Sequence, residues 1–146
     1  MSACSDLFKK EDGSPANVIC LTNENFDSNG DLTEFNNVNA VILFYAPWCG
    51  HCRDIKPIYI QMAEKFKRSN VKAFAVNGDK NKDLLRRIDP DVWGYQVRGF
   101  PTIIGYSNGK YYSEYGMDPN NREVFRTLND LVEYGATLGQ AEVHWN

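Results

Sequence analysis

In the stretch YAPWCGHCRD, Tyr45 to Asp54, two cysteines three residues apart follow a tryptophan. At that spacing Cys49 and Cys52 could share a zinc ion, close a structural disulfide, or exchange a disulfide with another molecule. A structural zinc site wants four ligands, usually as two such pairs or as one pair plus histidines. The other candidates, Cys4, Cys20, His51 and His144, show no paired spacing. A static bridge across so short a loop removes little chain entropy. Disulfide exchange suits the surroundings best, because an apolar strand, a turn and then a cysteine pair opening a helix make an activating environment.

The thiolate is the reactive form of cysteine. A helix N-terminus offers it unpaired amides and the positive end of a dipole, and His51 adds a second positive partner when protonated. Stabilising the thiolate of the reduced form makes the corresponding disulfide a stronger oxidant and Cys49 a better leaving group. A histidine between the cysteines therefore points toward giving or reshuffling disulfides rather than only removing them.

The elements around the pair follow from periodicity. AVILFY (Ala40 to Tyr45) is an unbroken apolar run, as in strands covered on both faces. From Cys49 to about Asn70 the pattern becomes helical, with Ile55, Tyr59, Met62 and Phe66 in a core-facing stripe. Extended backwards, the stripe lands on Cys52, so Cys52 should point inward while Cys49 caps the helix and meets solvent. Pro57 should bend this helix. VICL (Val18 to Leu21) and VKAFAV (Val71 to Val76) read as strands, and KDLLRRI (Lys82 to Ile88) as a short helix. Thr22 to Asn39 is expected to hold one or two helical turns around Phe26 to Phe35, and Asp89 to Trp93 an inserted surface loop. Thr102 to Tyr106 and Tyr111 to Tyr115 form a hairpin about Asn108-Gly109. DPNNREVFRTLNDLVEY closes the chain as a helix, with Val124, Phe125, Leu128, Leu131 and Val132 facing inward. The order β-α-β-α-β-α-β-β-α implies an α/β domain, a mixed central sheet with helices on both faces.

A chain of 146 residues is one ordinary domain. Its formal net charge of −3 gives no footing for nucleic acid or an anionic membrane. Residues 1–16 read as a flexible leader, 17–135 as the folded domain and 136–146 as a tail. The N-terminus lacks the apolar run of a signal peptide, no segment reaches the length of a membrane span, and AEVHWN is not a retention signal. None of the 15 asparagines lies in a glycosylation sequon. These absences favour the cytoplasm, with an endoplasmic-reticulum lumen if the chain has been trimmed. Cys20 is expected to be a buried thiol and Cys4 a spare one.

FYAPWCGHC resembles the active-site motif of protein disulfide isomerase catalytic domains in the thioredoxin superfamily, and VRGFPTI (Val97 to Ile103) resembles that family's second landmark. The resemblance covers about Val18 to Tyr134. It implies a thioredoxin fold, with Cys49 as nucleophile, Cys52 as resolving thiol, Gly50 and His51 as the intervening pair and Trp48 as the flanking tryptophan. It implies a cis Phe100–Pro101 bond beside the cysteines, where the backbone of Phe100 could pair with an extended client segment. Arg122 roughly matches a family arginine that swings toward the resolving cysteine, an exposed helix-start arginine being the alternative. The implied partners are protein thiols and disulfides and an unidentified electron donor or acceptor. No metal or organic cofactor is implied, and a monomer is expected.

Two departures stand out. The family usually carries a buried carboxylate where this chain has Leu43, and often a lysine where it has Ala75. The carboxylate is thought to take the proton of the resolving thiol, and an apolar setting disfavours that thiolate. Slow attack by Cys52 and long-lived mixed disulfides on Cys49 are therefore expected. Two rival readings share the fold: a thioredoxin-like protein disulfide reductase, and a binding or chaperone module that uses the fold as a scaffold.

Overall fold

The computed structural model describes residues 8–116 and 127–145. Five strands form one mixed sheet in the order β1-β3-β2-β4-β5: β1 Ile19–Leu21, β2 Asn39–Tyr45, β3 Val71–Asn77, β4 Thr102–Ser107 and β5 Lys110–Glu114. β1, β3 and β2 run parallel, while β4 and β5 are antiparallel. All seven residues of β2 are buried, as its unbroken apolar run requires at the centre of a sheet covered on both faces.

Each face has its own core. On one, α1 (Gly50–Lys65) and α4 (Leu128–Trp145) pack over Val41, Leu43, Tyr45, Ala73 and Ala75. On the other, α2 (Lys82–Arg87) and the short α3 (Pro90–Trp93) contribute Leu84 and Trp93 against Ile42, Phe44, Phe74 and Val76. The strand order and the helices on both faces match the thioredoxin fold that the resemblance implied. The stripe Ile55, Tyr59, Met62 and Phe66 is buried along its whole length.

Several elements differ from the sequence expectation. Between Thr22 and Asn39 there is only a single 3₁₀ turn, Asn23–Asn25, followed by an irregular loop. The Asp27 carboxylate accepts the amides of Asn29 and Asp31, offering the backbone a local alternative to helix. Asp89 to Trp93, expected as a surface loop, contains α3. Asp89 caps it by accepting the Asp91 amide, Pro90 occupies its first turn, and Trp93 is buried. A four-residue helix is too short to leave a periodic signal.

The segment read as a leader folds back onto the domain in its described part. Phe8 is 2% exposed within the α1-side core, and Lys9 bridges Pro15. At the other end, residues 136–145 continue α4, with Leu138 buried, where a tail was expected. Val124 and Phe125 lie outside the described residues. Cys20 is disulfide-bonded and only partly buried, not the buried free thiol expected. Cys4 lies outside the described residues.

The β4–β5 turn is held from below. Asn108 and Gly109 adopt positive φ, 55° and 78°, and a side chain at Gly109 would overlap the backbone of Asn36. The buried Asn39 side chain accepts the Asn108 amide at 2.9 Å, tying that turn to the start of β2.

Candidate active site

Three segments converge where the parallel strands β2 and β3 end, the usual place for a site in an α/β sheet. They are the β2–α1 turn carrying Trp48 and Cys49, the β3–α2 loop from Asn77 to Asn81, and the loop leading into β4. The Gly78 amide donates to the Tyr45 carbonyl at 2.7 Å, and the Cys49 amide to the Ala46 carbonyl at 3.1 Å. These bonds join the ends of both strands to the turn.

Cys49 is the N-cap of α1, with φ −80° and ψ 118°, and its Sγ accepts the Cys52 amide at 3.2 Å. That amide has no carbonyl partner within the helix, so the sulfur is held where negative charge is best stabilised. On its other side Sγ lies 3.5 Å from the Phe100 carbonyl, to which its S–H donates. Phe100–Pro101 is cis, as the resemblance implied. Both cysteines are free thiols. Cys52 points inward and is 2% exposed, as its place on the stripe required. Cys49 was expected to meet solvent but is only 6% exposed. A side chain that caps its own helix must turn back over the first amides, and here the Phe100 loop closes over it as well.

Gly50 and His51 are exposed on the first turn, and space is open around Gly50. Trp48 is 65% exposed beside Cys49. Its ring meets that of Phe100 edge to face at 6.0 Å, and its Nε1 donates to the Asp79 carboxylate at 3.1 Å. The Asn77 carboxamide accepts the amides of Asp79 and Lys80, which fixes the loop presenting that carboxylate. Arg122 lies outside the described residues. Gly78 and Asp79 escaped the sequence reading. Their signal was a Gly-Asp pair directly after a buried parallel strand, the end at which such sheets place their sites.

Behind Cys52 the core is apolar. Leu43 and Ala75, where the resemblance led a buried charge pair to be expected, are register neighbours on β2 and β3 and are 1% and 0% exposed. The Tyr59 hydroxyl, deeper in the same core, donates to one of the carbonyls of Val41 and Phe74, both within hydrogen-bond reach. Burial pushes its phenol well above the usual tyrosine range. Among the described residues, no cluster of three or more His, Cys, Asp or Glu side chains could hold a metal ion, and no helix is long and apolar enough to cross a membrane.

The thioredoxin family's model matches residues 17–130. Protein disulfide isomerase-like 2-2 of Oryza sativa subsp. japonica is 32% identical over 121 residues, which are 82% of this chain and 28% of that protein. Protein disulfide-isomerase A6 of Homo sapiens is 34% identical over 133 residues, 89% of this chain and 26% of that protein. Among solved structures, the human ERp44 zinc-bound form superposes with a TM-score of 0.59 at 25% identity, over 82% of this chain and 30% of that one. The chain thus spans less than a third of the length of these relatives.

Proposed function

From the premise that this chain belongs to the thioredoxin family, as a domain like those of the protein disulfide isomerases, we propose that it is a thiol–disulfide oxidoreductase acting on protein cysteines. One observation carries this reading. Cys49 Sγ sits at the N-terminus of α1 as an acceptor for the Cys52 amide, beside a cis-proline loop and one turn from a second free thiol.

In the oxidising direction, a client thiolate attacks Cys49 Sγ. The Cys49–Cys52 bond breaks, and Cys52 leaves as the thiolate. A second client thiolate then attacks the client sulfur and releases Cys49 as thiolate. Two electrons pass to the protein, whose thiolates take up protons from solvent. In the reducing direction Cys49 attacks first, and Cys52 expels the client thiolate. The Phe100 backbone at the mouth of Cys49 suits an extended client segment, with Pro101 fixing that loop and Trp48 flanking it. The exposed His51 stands on the first turn of α1, next to the Cys49 cap. A disulfide-bonded Cys20 supports residence in an oxidising compartment rather than the cytoplasm.

The test is the reduction potential of the Cys49/Cys52 couple, equilibrated against glutathione at pH 7. A value near about −180 mV is expected of a disulfide donor or isomerase. A value near about −270 mV would identify a reductase under an isomerase-like motif. Failure of the pair to exchange with glutathione at all would overturn the redox reading.

A further inference from the structure

Cys20 is disulfide-bonded, whereas Cys49 and Cys52 are free thiols. The sequence holds four cysteines, which leaves Cys4 as the partner of Cys20 within the chain. Backbone register points to the same pair. The chain doubles back after Phe8: Lys9 bridges Pro15 in antiparallel fashion, and the Ala16 amide donates to the Phe8 carbonyl at 3.1 Å. In an antiparallel pair, each step back along one arm matches a step forward along the other. Phe8 faces Ala16, so the same register continued sets Cys4 opposite Cys20. Cys20 lies on β1, an outer strand of the sheet, and packs with Ala16 and Val18 against the core that holds Phe8. Phe8 in turn rests on Tyr45 at 5.3 Å, at the end of β2. The neighbouring Ala46 carbonyl accepts the Cys49 amide, so this seat lies against the strand end that carries the active-site turn.

We propose that Cys4 and Cys20 form a second, redox-sensitive disulfide that fastens the N-terminal segment to β1 and locks Phe8 in its seat. The bridge closes a loop over residues 4–20, removing chain freedom that otherwise opposes the seating of Phe8. Cys20 is only partly buried and lines a groove of about 580 Å³ along β1, so a small thiol can reach the bond. A glutathione thiolate attacks one sulfur of the bridge, and the other cysteine leaves as thiolate. A second glutathione thiolate attacks the glutathione sulfur of the mixed disulfide, releasing the first cysteine and glutathione disulfide. Two electrons pass to the protein, and both thiolates take up protons from solvent. The lock does not depend on the redox reading of Cys49 and Cys52. From loop closure, loss of the bridge is expected to raise opening of the segment about a hundredfold.

The experiment uses the full chain in three forms: oxidised wild type, wild type treated with reduced glutathione, and oxidised Cys4→Ser. The variant keeps the Cys49/Cys52 couple oxidised and so separates the lock from it. Peptide mapping of oxidised wild type without reductant is expected to recover Cys4 joined to Cys20. Hydrogen exchange at the Ala16 amide, which donates to Phe8, reads the lock. It is expected to be about a hundredfold faster in the glutathione-treated and Cys4→Ser forms than in oxidised wild type. Mapping needs no variant: Cys4 found free, or Cys20 joined to glutathione or to a second copy, overturns the pairing. Equal Ala16 exchange in all three forms overturns the lock. Faster exchange in Cys4→Ser but not under glutathione identifies a static staple and overturns the redox sensitivity.

Discussion

Cys49 and Cys52 differ by one fact of placement: one caps the helix, the other lies on its buried stripe. The cap position sets the Cys49 sulfur against the Cys52 amide, whereas the Cys52 side chain is packed into an apolar core. Leu43 and Ala75, register neighbours on β2 and β3, themselves offer neither a carboxylate nor an amine for the proton that Cys52 must lose before it can attack. Replacing a buried ion pair by apolar residues is often neutral or stabilising, so the fold tolerates the change while the chemistry slows. Leu43→Glu should speed release of client thiol from a Cys49 mixed disulfide by about tenfold or more, followed by stopped flow. The same variant should lose roughly 3–5 kcal/mol of stability, because the carboxylate would be buried without its lysine. No acceleration in the folded variant would refute the proton-acceptor argument.

At the scale of elements, one side chain makes four of the hydrogen bonds that hold the irregular loop after β1. Arg87 on α2 donates to the carbonyls of Asn23, Phe26 and Asp27 and to the Asn23 side chain, at 2.6–3.0 Å. Its guanidinium also lies over the Trp93 ring at 5.6 Å, and Trp93 in turn donates to the Ser28 carbonyl. One arginine thus joins α2, α3 and the loop that replaced the expected helix. Arg87→Ala should lower stability by about 2–3 kcal/mol in urea unfolding. Arg87→Lys should recover little of it, because an ammonium cannot reproduce the planar fork. Recovery by lysine would mean that charge, not geometry, holds the loop.

Across the whole molecule, the N-terminal segment is part of the core. The Phe8 ring packs edge to face on Tyr45 at 5.3 Å and lies 6.1 Å from Tyr59, and the Asn17 side chain donates to the Ala63 carbonyl on α1. Phe8→Ala should cost about 3–5 kcal/mol, read from thermal or urea unfolding. A loss within about half a kcal/mol would show the contact to be superficial. Buried phenols on both faces predict how stability responds to alkali. Burial pushes Tyr59, Tyr95, Tyr106 and Tyr134 above the ordinary tyrosine range, and for Tyr106 the neighbouring Tyr95, Asp31 and Asp27 push the same way. In the unfolded chain these phenols ionise near pH ~10, so above that pH the folded state holds more protons than the unfolded one. Their contribution is complete below pH ~10 and declines as pH rises. Tyrosinate absorbance from these phenols should therefore rise together with unfolding. Their smooth titration in a chain that stays folded would contradict this.

Local periodicity was enough to determine the parallel strands, the α1 stripe, the inward Cys52 and the β4–β5 turn at Asn108-Gly109. Each is written in residues adjacent in sequence, where a repeat or a turn pair is its own signal. The motif YAPWCGHC and the segment GFPT carried the family and the cis bond in the same local way. Contacts between distant segments decided the rest. The cover over Cys49 comes from Phe100, the grip on Trp48 from Asp79, the seat of Phe100 from Gly78, and the anchoring of Phe8 from β2 and α1. Trp93, expected in a surface loop, and Arg87, for which the helix pattern gave no role, are placed only when the loop they hold folds onto them. None of these has a period, because each depends on which side chains meet only after the strands have set their order and register.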